Sequence, residues 1–157
     1  MAGGIFVRRG QAEDLEPAFT LWWRAESTRR HGSPPSVSVE RVRGYARRKG
    51  AFLLVADAAG EVVGMALVTP ASSRPSEVAV VQMVFVAPER WGAGLGGELV
   101  EAVLSEARSR GYGRAQLWTH ADNTRAQRLY ENRGFHRTGR EKRDDLGETI
   151  VHYERWL

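Results

Sequence analysis

From Val86 to Gly97 the chain reads Val-Ala-Pro-Glu-Arg-Trp-Gly-Ala-Gly-Leu-Gly-Gly. A β-branched run, Val78 to Val86, leads into this segment and is stopped by Pro88. Leu95, Leu99, Val100, Val103, Leu104 and Ala107 follow it at the spacing of a helix with one buried face. A strand that runs through a glycine-rich loop into a long helix commits the chain to a fold that mixes sheet and helix. Glycines at that junction let successive backbone N–H groups converge on an anion, and the helix dipole favours negative charge at the same point. A phosphate or pyrophosphate ligand is the direct expectation.

The flanking segments extend the pattern. Ile5–Arg9 reads as an opening strand, and Leu15, Ala18, Phe19, Trp22 and Trp23 as the buried face of a helix. Val39, Val42 and Ala46 suggest a second helix, closed by Gly50. Segments 51–56 and 62–68 flank Asp57-Ala-Ala-Gly60 as a hairpin. Beyond the long helix, 114–119 reads as a strand and 123–133 as a helix ended by Gly134. Segments 135–142 and 149–156 then pair across Asp144-Asp145-Leu146-Gly147. The order is β-α-α-β-β-β-α-β-α-β-β. Early antiparallel hairpins followed by strand–helix crossovers predict an α/β fold of layered α+β type around a mixed sheet. With no repeat and no linker, a single domain over residues 1–157 is expected.

Three kinds of phosphate-binding loop compete for the glycines. A nucleotide triphosphatase loop ends in Gly-Lys-Ser/Thr, whereas this one ends in Gly96-Gly97-Glu98. Gly92, Gly94 and Gly97 satisfy the dinucleotide fingerprint literally, but that fingerprint follows the first strand of a repeated βαβ unit. Here several strands come first and too little chain remains for a dinucleotide domain. In the third reading, Trp91-Gly-Ala-Gly94-Leu-Gly96 resembles the Gln/Arg-x-x-Gly-x-Gly/Ala loop of the GCN5-related N-acetyltransferase (GNAT) family, preceded by the Val-x-Pro (Val86, Pro88) often seen there. Trp91 stands where the family carries Gln or Arg. The glycine backbone donors make this tolerable, and Arg90 is a candidate for the missing charge.

A second segment, Asn123-Thr-Arg-Ala126-Gln-Arg-Leu-Tyr130-Glu-Asn-Arg-Gly134-Phe135, resembles the family's Asn-x-x-Ala-x-x-x-Tyr-x-x-x-Gly-Phe signature at every anchor. The resemblance implies a mostly antiparallel sheet splayed between strands 4 and 5. It implies direct transfer of an acetyl group from acetyl-CoA to a primary amine in a ternary complex, without a metal. Pantetheine is implied along Val84, Phe85 and Val86, and the phosphates against Trp91, Gly92, Ala93, Gly94, Leu95, Gly96 and Gly97. A main-chain N–H near the strand end polarises the thioester carbonyl. Tyr130 is implied as the acid for the departing thiolate, although packing of its i, i+4 pair with Ala126 is the plainer role. Asn123 is implied as a cofactor contact and is equally a helix N-cap. Arg125 is implied at the phosphates; Arg128 and Arg133 lie nearby, and a solvated helix face is the alternative for all three.

The attacking amine must lose a proton. Some family members carry a glutamate on the fourth strand, six positions before the valine that ends it; this chain has Val80 there. Gln82 is suited to orienting water or substrate. His120, directly after the fifth strand, is the candidate base, since imidazole titrates near neutrality; a turn histidine is the alternative. Acceptor selectivity is implied for the first two helices and their connection, where Trp23, Glu26 and His31 are candidates and Trp22 and Trp23 equally suit the core. The surplus of arginine favours a small-molecule amine that carries a carboxylate or phosphate over a polycation. A sensor or scaffold that binds acetyl-CoA with little catalysis is the alternative function, as is a protein or peptide N-acetyltransferase.

Composition closes several routes. Zero cysteine excludes a disulfide framework, a thiolate metal site and an acyl-cysteine intermediate. The net charge of +4 is built almost wholly from arginine, with Lys49 and Lys142 the only lysines. Nucleic-acid binding rests on that charge alone and is not expected. No apolar run is long enough to cross a bilayer, and the first ten residues lack the basic start and apolar core of a signal peptide. A cytoplasmic protein with no membrane partner, and with a homodimer as an open option, is the expectation.

Overall fold

A computed structural model describes residues 4–157. Met1 to Gly3, on which part of the N-terminal reading rests, lie outside the described residues. The strands are β1 (Ile5–Arg9), β2 (Phe52–Ala58), β3 (Glu61–Pro70), β4 (Val78–Val86), β5 (Arg114–His120), β6 (His136–Arg143) and β7 (Thr149–Trp156). The helices are α1 (Leu15–Arg29), α2 (Val39–Arg47), α3 (Leu95–Ser109) and α4 (Thr124–Glu131). The strands form one sheet in the order β1-β2-β3-β4-β5-β7-β6, antiparallel throughout except between β4 and β5. Among the described residues no helix is long and apolar enough to cross a membrane.

Local chemistry explains the elements. The β2–β3 hairpin turns on Ala59 and Gly60, both at positive φ, as a two-residue loop matched to strand twist requires. Asp57 Oδ1 accepts the Gly60 N–H at 2.7 Å and locks that turn. The apolar stripe of α3 packs against β2, β3 and β4, with Leu99 and Ala107 fully buried. Helix α4 is shorter than the sequence pattern suggests. The Asn123 side chain caps its start by accepting the Ala126 N–H (3.2 Å), and Gly134 at φ +82° turns the chain out after its end. Short 3-10 turns at Ala12–Asp14 and Pro88–Arg90 add to the expected order.

The feature that positions the site is the break in the sheet. Strands β4 and β5 pair only at Val78, Ala79 and Val80, opposite Arg114, Ala115 and Gln116. Beyond that point β4 stays with β3 as far as Val86 opposite Gly64, while β5 follows β7 as far as His120 opposite Ile150. The two halves of the sheet therefore part like a wedge. A bulge between β3 and β4 leaves Gln82 as the extra residue just where the strands separate.

Candidate active site

Gly94 is the N-cap of α3 and sits at φ +82°, with Gly92 at φ +84° just before it. L side chains rarely adopt this conformation. A Cβ at either position meets no protein atom within 4 Å, so both face open space. The Glu98 N–H is the one that reaches back to Gly94 O (3.2 Å). The preceding N–H groups of α3, those of Leu95, Gly96 and Gly97, precede its first helical bond and are available to an anion. They border a cavity of about 670 Å³ that is also lined by Arg90, Trp91, Arg125 and Arg128. Ala93 is exposed at the loop surface.

Trp91 organises the cationic side of this cavity. Its Nε1–H donates to Val86 O at 2.8 Å, closing the last carbonyl of β4, and its ring carries the Arg125 guanidinium 4.9 Å from the centroid. A positive group from α4 is thereby held beside the glycine loop.

The strand itself offers a docking edge. The Ala87 N–H bonds to Val63 O at 2.9 Å. In an antiparallel ladder the bonded and non-bonded pairs alternate. The Met65–Phe85 pair is thus bonded, and the backbone groups of Val84 and Val86 turn away from β3 into the wedge. With Val86 O taken by Trp91, the Val84 N–H and C=O and the Val86 N–H form an open edge of the kind that strand addition uses.

A second cavity of about 350 Å³ lies deeper in the wedge and shares Glu26, Val84, Phe85, Asn123 and Ala126 with the first. Its wall also includes Trp22, Gln82, Trp118, His120, Tyr130 and Lys142, with Asp144 and Asp145 at the hairpin side. Tyr130 is buried, edge-on to Phe135 at 5.8 Å, and burial pushes its phenol far above the ordinary value of 10.0, so it stays protonated. Gln82 donates from Nε2 to Thr69 Oγ1 at 3.0 Å, which fixes its amide at the cavity wall.

His120 lies at the hub of an ionic clasp. Its Nε2 lies 2.9 Å from Asp144 Oδ2, while Nδ1 lies 3.3 Å from the Arg29 guanidinium, a group that can only donate. That pattern assigns the proton to Nε2 and leaves Nδ1 as an acceptor already in use. Ser36 Oγ is 3.2 Å from Nε2, and Arg30 binds Glu148 through two bonds of 2.6 and 3.0 Å. Burial opposes ionisation of Asp144. Hydrogen bonds from His120 and from the N–H groups of Glu148 and Leu146 nonetheless hold its carboxyl below the usual range. Arg30 does the same for Glu148. The ligand atoms of His120, Asp144 and Glu148 lie within 4.8 Å of one another, but protein donors already engage both carboxylates.

The remaining acceptor candidates separate. Glu26 is buried and lines both cavities, with both oxygens on Arg29 at 2.6 and 3.2 Å. Trp23 and His31 are not brought to the site. Helix α1 turns Trp22 inward and leaves Trp23 43% exposed, edge-on to Trp22 at 5.8 Å. His31 is exposed in the turn after α1 at φ +55°, and neither residue lines either cavity.

The family model for the acetyltransferase (GNAT) family matches residues 15–135. The chain belongs to the GNAT family. Within it, mycothiol acetyltransferase of Pseudarthrobacter chlorophenolicus is 40% identical over 88 residues, which is 55% of this chain and 27% of that protein. N-acetyltransferase family 8 member 2 of Rattus norvegicus is 33% identical over 99 residues, 62% of this chain and 43% of that protein. This GNAT chain thus spans less than half the length of either relative. A ribosomal-protein-alanine N-acetyltransferase from Brucella melitensis superposes with a TM-score of 0.78 at 21% identity, covering 97% of this chain and 99% of that one. A GNAT acetyltransferase from Elizabethkingia anophelis with acetyl-CoA bound superposes at 0.75 and 19% identity, covering 98% of both chains. These two likenesses establish the fold.

The site residues of this GNAT domain fit acetyl-CoA, the acetyl donor of the family. The α3 N–H groups and Arg125 suit its phosphates, and the Val84 edge suits its extended arm. Trp91 accounts for the departure from the family loop: the indole closes the strand end, and the cation arrives from Arg125. Sequence reading missed Arg29, Asp144, Glu148 and Trp118, because their roles depend on contacts between distant segments. Lys142 carried one weak signal, its rarity in an arginine-rich chain.

Proposed function

We propose that this GNAT domain transfers an acetyl group from acetyl-CoA directly to the primary amine of a small molecule within a ternary complex. The observation that carries the reading is the wedge between β4 and β5, where free backbone groups of Val84 line a cavity that begins at the N-terminus of α3. Acetyl-CoA supplies the activated acetyl thioester. The α3 N–H groups and Arg125 hold its phosphates, and the Val84 and Val86 backbone aligns its arm. In this reading the Val84 N–H polarises the thioester carbonyl, stabilising charge that develops on its oxygen.

The Tyr130 hydroxyl, kept neutral by burial, hydrogen-bonds the departing sulfur and passes it a proton that is replaced, by way of water, by the one the amine releases. Both ring nitrogens of His120 are engaged, so this histidine holds the acceptor chamber together rather than taking the amine's proton. The amine enters neutral or passes its proton to water. A small acceptor is favoured because the chamber is only about 350 Å³ and is tied shut at one side. There the Arg30–Glu148 and Arg41–Asp145 pairs join the α1–α2 region to the β6–β7 hairpin, and His120–Asp144 ties the end of β5 to the same hairpin.

A thiol-release screen with acetyl-CoA against amino acids, polyamines, amine antibiotics and short peptides tests this function. Turnover with a small amine supports it. Turnover confined to peptide N-termini would move the assignment to a peptide N-acetyltransferase. Acetyl-CoA binding without turnover on any acceptor would favour the sensor reading. The absence of cysteine keeps the protein itself silent in such an assay.

A further inference from the structure

The acceptor chamber holds a charge that acetyl transfer does not use. Its carboxylates are all engaged: Glu26 by Arg29 at 2.6 Å, Asp144 by His120 at 2.9 Å and Asp145 by Arg41 at 2.9 Å. Arg143 donates to Gly147 O at 2.7 Å. Lys142 has no carboxylate partner among the described residues. Its Nζ lies 4.3 Å from the centre of the Trp118 ring, and both residues line the chamber. Arg140, likewise without a carboxylate partner among the described residues, lies 5.3 Å from the same ring centre.

A π face orients an ammonium without cancelling its charge, so Lys142 stays available to an anion. The surroundings agree. His152, 4.8 Å from Trp118, is held below its ordinary pKa first by burial and then by Arg140, with Arg114 and Lys142 adding to the effect and Glu154 opposing it. Of the charges acting on His152, three are cations and one is a carboxylate. Among the described residues no unengaged carboxylate lines the chamber to receive a second ammonium, which disfavours a polyamine.

We propose that the acceptor carries a carboxylate or phosphate on the same molecule as its amine, and that Lys142, presented on Trp118, binds that anion. The inference rests on the acetyl-transfer reading of the wedge. It makes Lys142 a specificity-determining residue that acts through acceptor affinity.

The test uses two pairs of probes that differ in one anionic group: ethanolamine against O-phosphoethanolamine, and β-alaninamide against β-alanine. Calorimetry first measures acetyl-CoA and CoA binding, then binding of each probe to the CoA-saturated protein. The anionic member of at least one pair should bind about tenfold more tightly, the scale of a charge-assisted contact. That pair identifies the anion. Lys142→Met should reduce the preference to less than about twofold, Lys142→Arg should keep most of it, and added salt should weaken it. Equal binding within both pairs, no detectable binding of either anionic probe, or a preference that survives Lys142→Met would overturn the proposal while leaving the acetyl-transfer reading standing. Failure of acetyl-CoA and CoA to bind in the first titration would remove that reading, and this proposal with it.

Discussion

The Arg125 guanidinium lies 4.9 Å from the centre of the Trp91 indole, and that indole is bonded through its N–H to the last carbonyl of β4. One aromatic residue thus links the strand that offers the docking edge to a cation on the wall of the glycine-loop cavity. Arg125→Ala should weaken acetyl-CoA binding about tenfold, as loss of a charge-assisted contact would. Trp91→Ala should weaken it by a similar factor, and the double variant should lose much less than the product of the two, because each side chain acts through the other. Titration of acetyl-CoA into the four proteins gives the coupling directly. Fully additive losses would show that Trp91 and Arg125 act separately.

Tyr130 is buried and neutral, with its phenol displaced upward by burial. Tyr130→Phe should lower kcat about a hundredfold, the lower end of general acid–base contributions, while acetyl-CoA affinity stays within about twofold. The wild-type pH–rate profile should show no alkaline limb from this group up to its ordinary value of 10.0. Unchanged kcat, with chemistry shown to limit the rate, would remove the tyrosine from the proton path.

His120 has donors or acceptors on both ring nitrogens, so it is expected to leave the pH–rate profile in its original shape when replaced. His120→Asn should lower kcat/KM by loosening the chamber, yet the acidic limb should persist. Disappearance of that limb would restore the histidine as the base.

The same clasp should appear in stability against pH. Asp144 has a carboxyl held below its usual 3.8, so its contribution is complete above that value and is lost as pH falls through the lowered one. Thermal unfolding of wild type and Asp144→Asn should therefore differ most near about pH 7 and draw together as pH falls below the usual carboxyl value of 3.8. A constant difference across that range would show that the Asp144 charge does not support the clasp.

Much of this was legible in the sequence, and the limits have physical causes. Strands β1 and β4 fall where β-branched runs and Pro88 place them. The glycine loop and the Asn123–Tyr130 segment were readable because both depend on local spacing. Trp22 and Trp23 were not separable, since adjacent positions on a helix lie 100° apart and either can border an apolar stripe. The structure buries Trp22 to 3% exposure and turns Trp23 outward. The clasp was out of reach for another reason. It joins Glu26, Arg29, Ser36, His120, Asp144 and Glu148, which no local pattern relates.

The packing of α3 on the sheet is also testable. Leu99 is fully buried, and its Cδ1 would lie 2.9 Å from a Cβ built on Gly64 of β3, so helix and strand are in close contact. Leu99→Ala should cost about 3 kcal/mol, within the range for buried leucine truncation. Denaturant unfolding measures this, and a loss below about 1 kcal/mol would indicate a site that collapses around the smaller side chain.

Acetyl-CoA binding to Gly94→Asp tests the central claim most directly. A Cβ at Gly94 meets no protein atom within 4 Å, so the new carboxylate confronts the ligand and not the fold, apart from the strain of its φ of +82°. Calorimetry on wild type should show one site per chain. The variant, with its circular dichroism spectrum retained, should show no detectable binding. Undiminished binding to the folded variant would contradict the placement of the phosphates at the α3 N-terminus, and with it the acetyltransferase site described above.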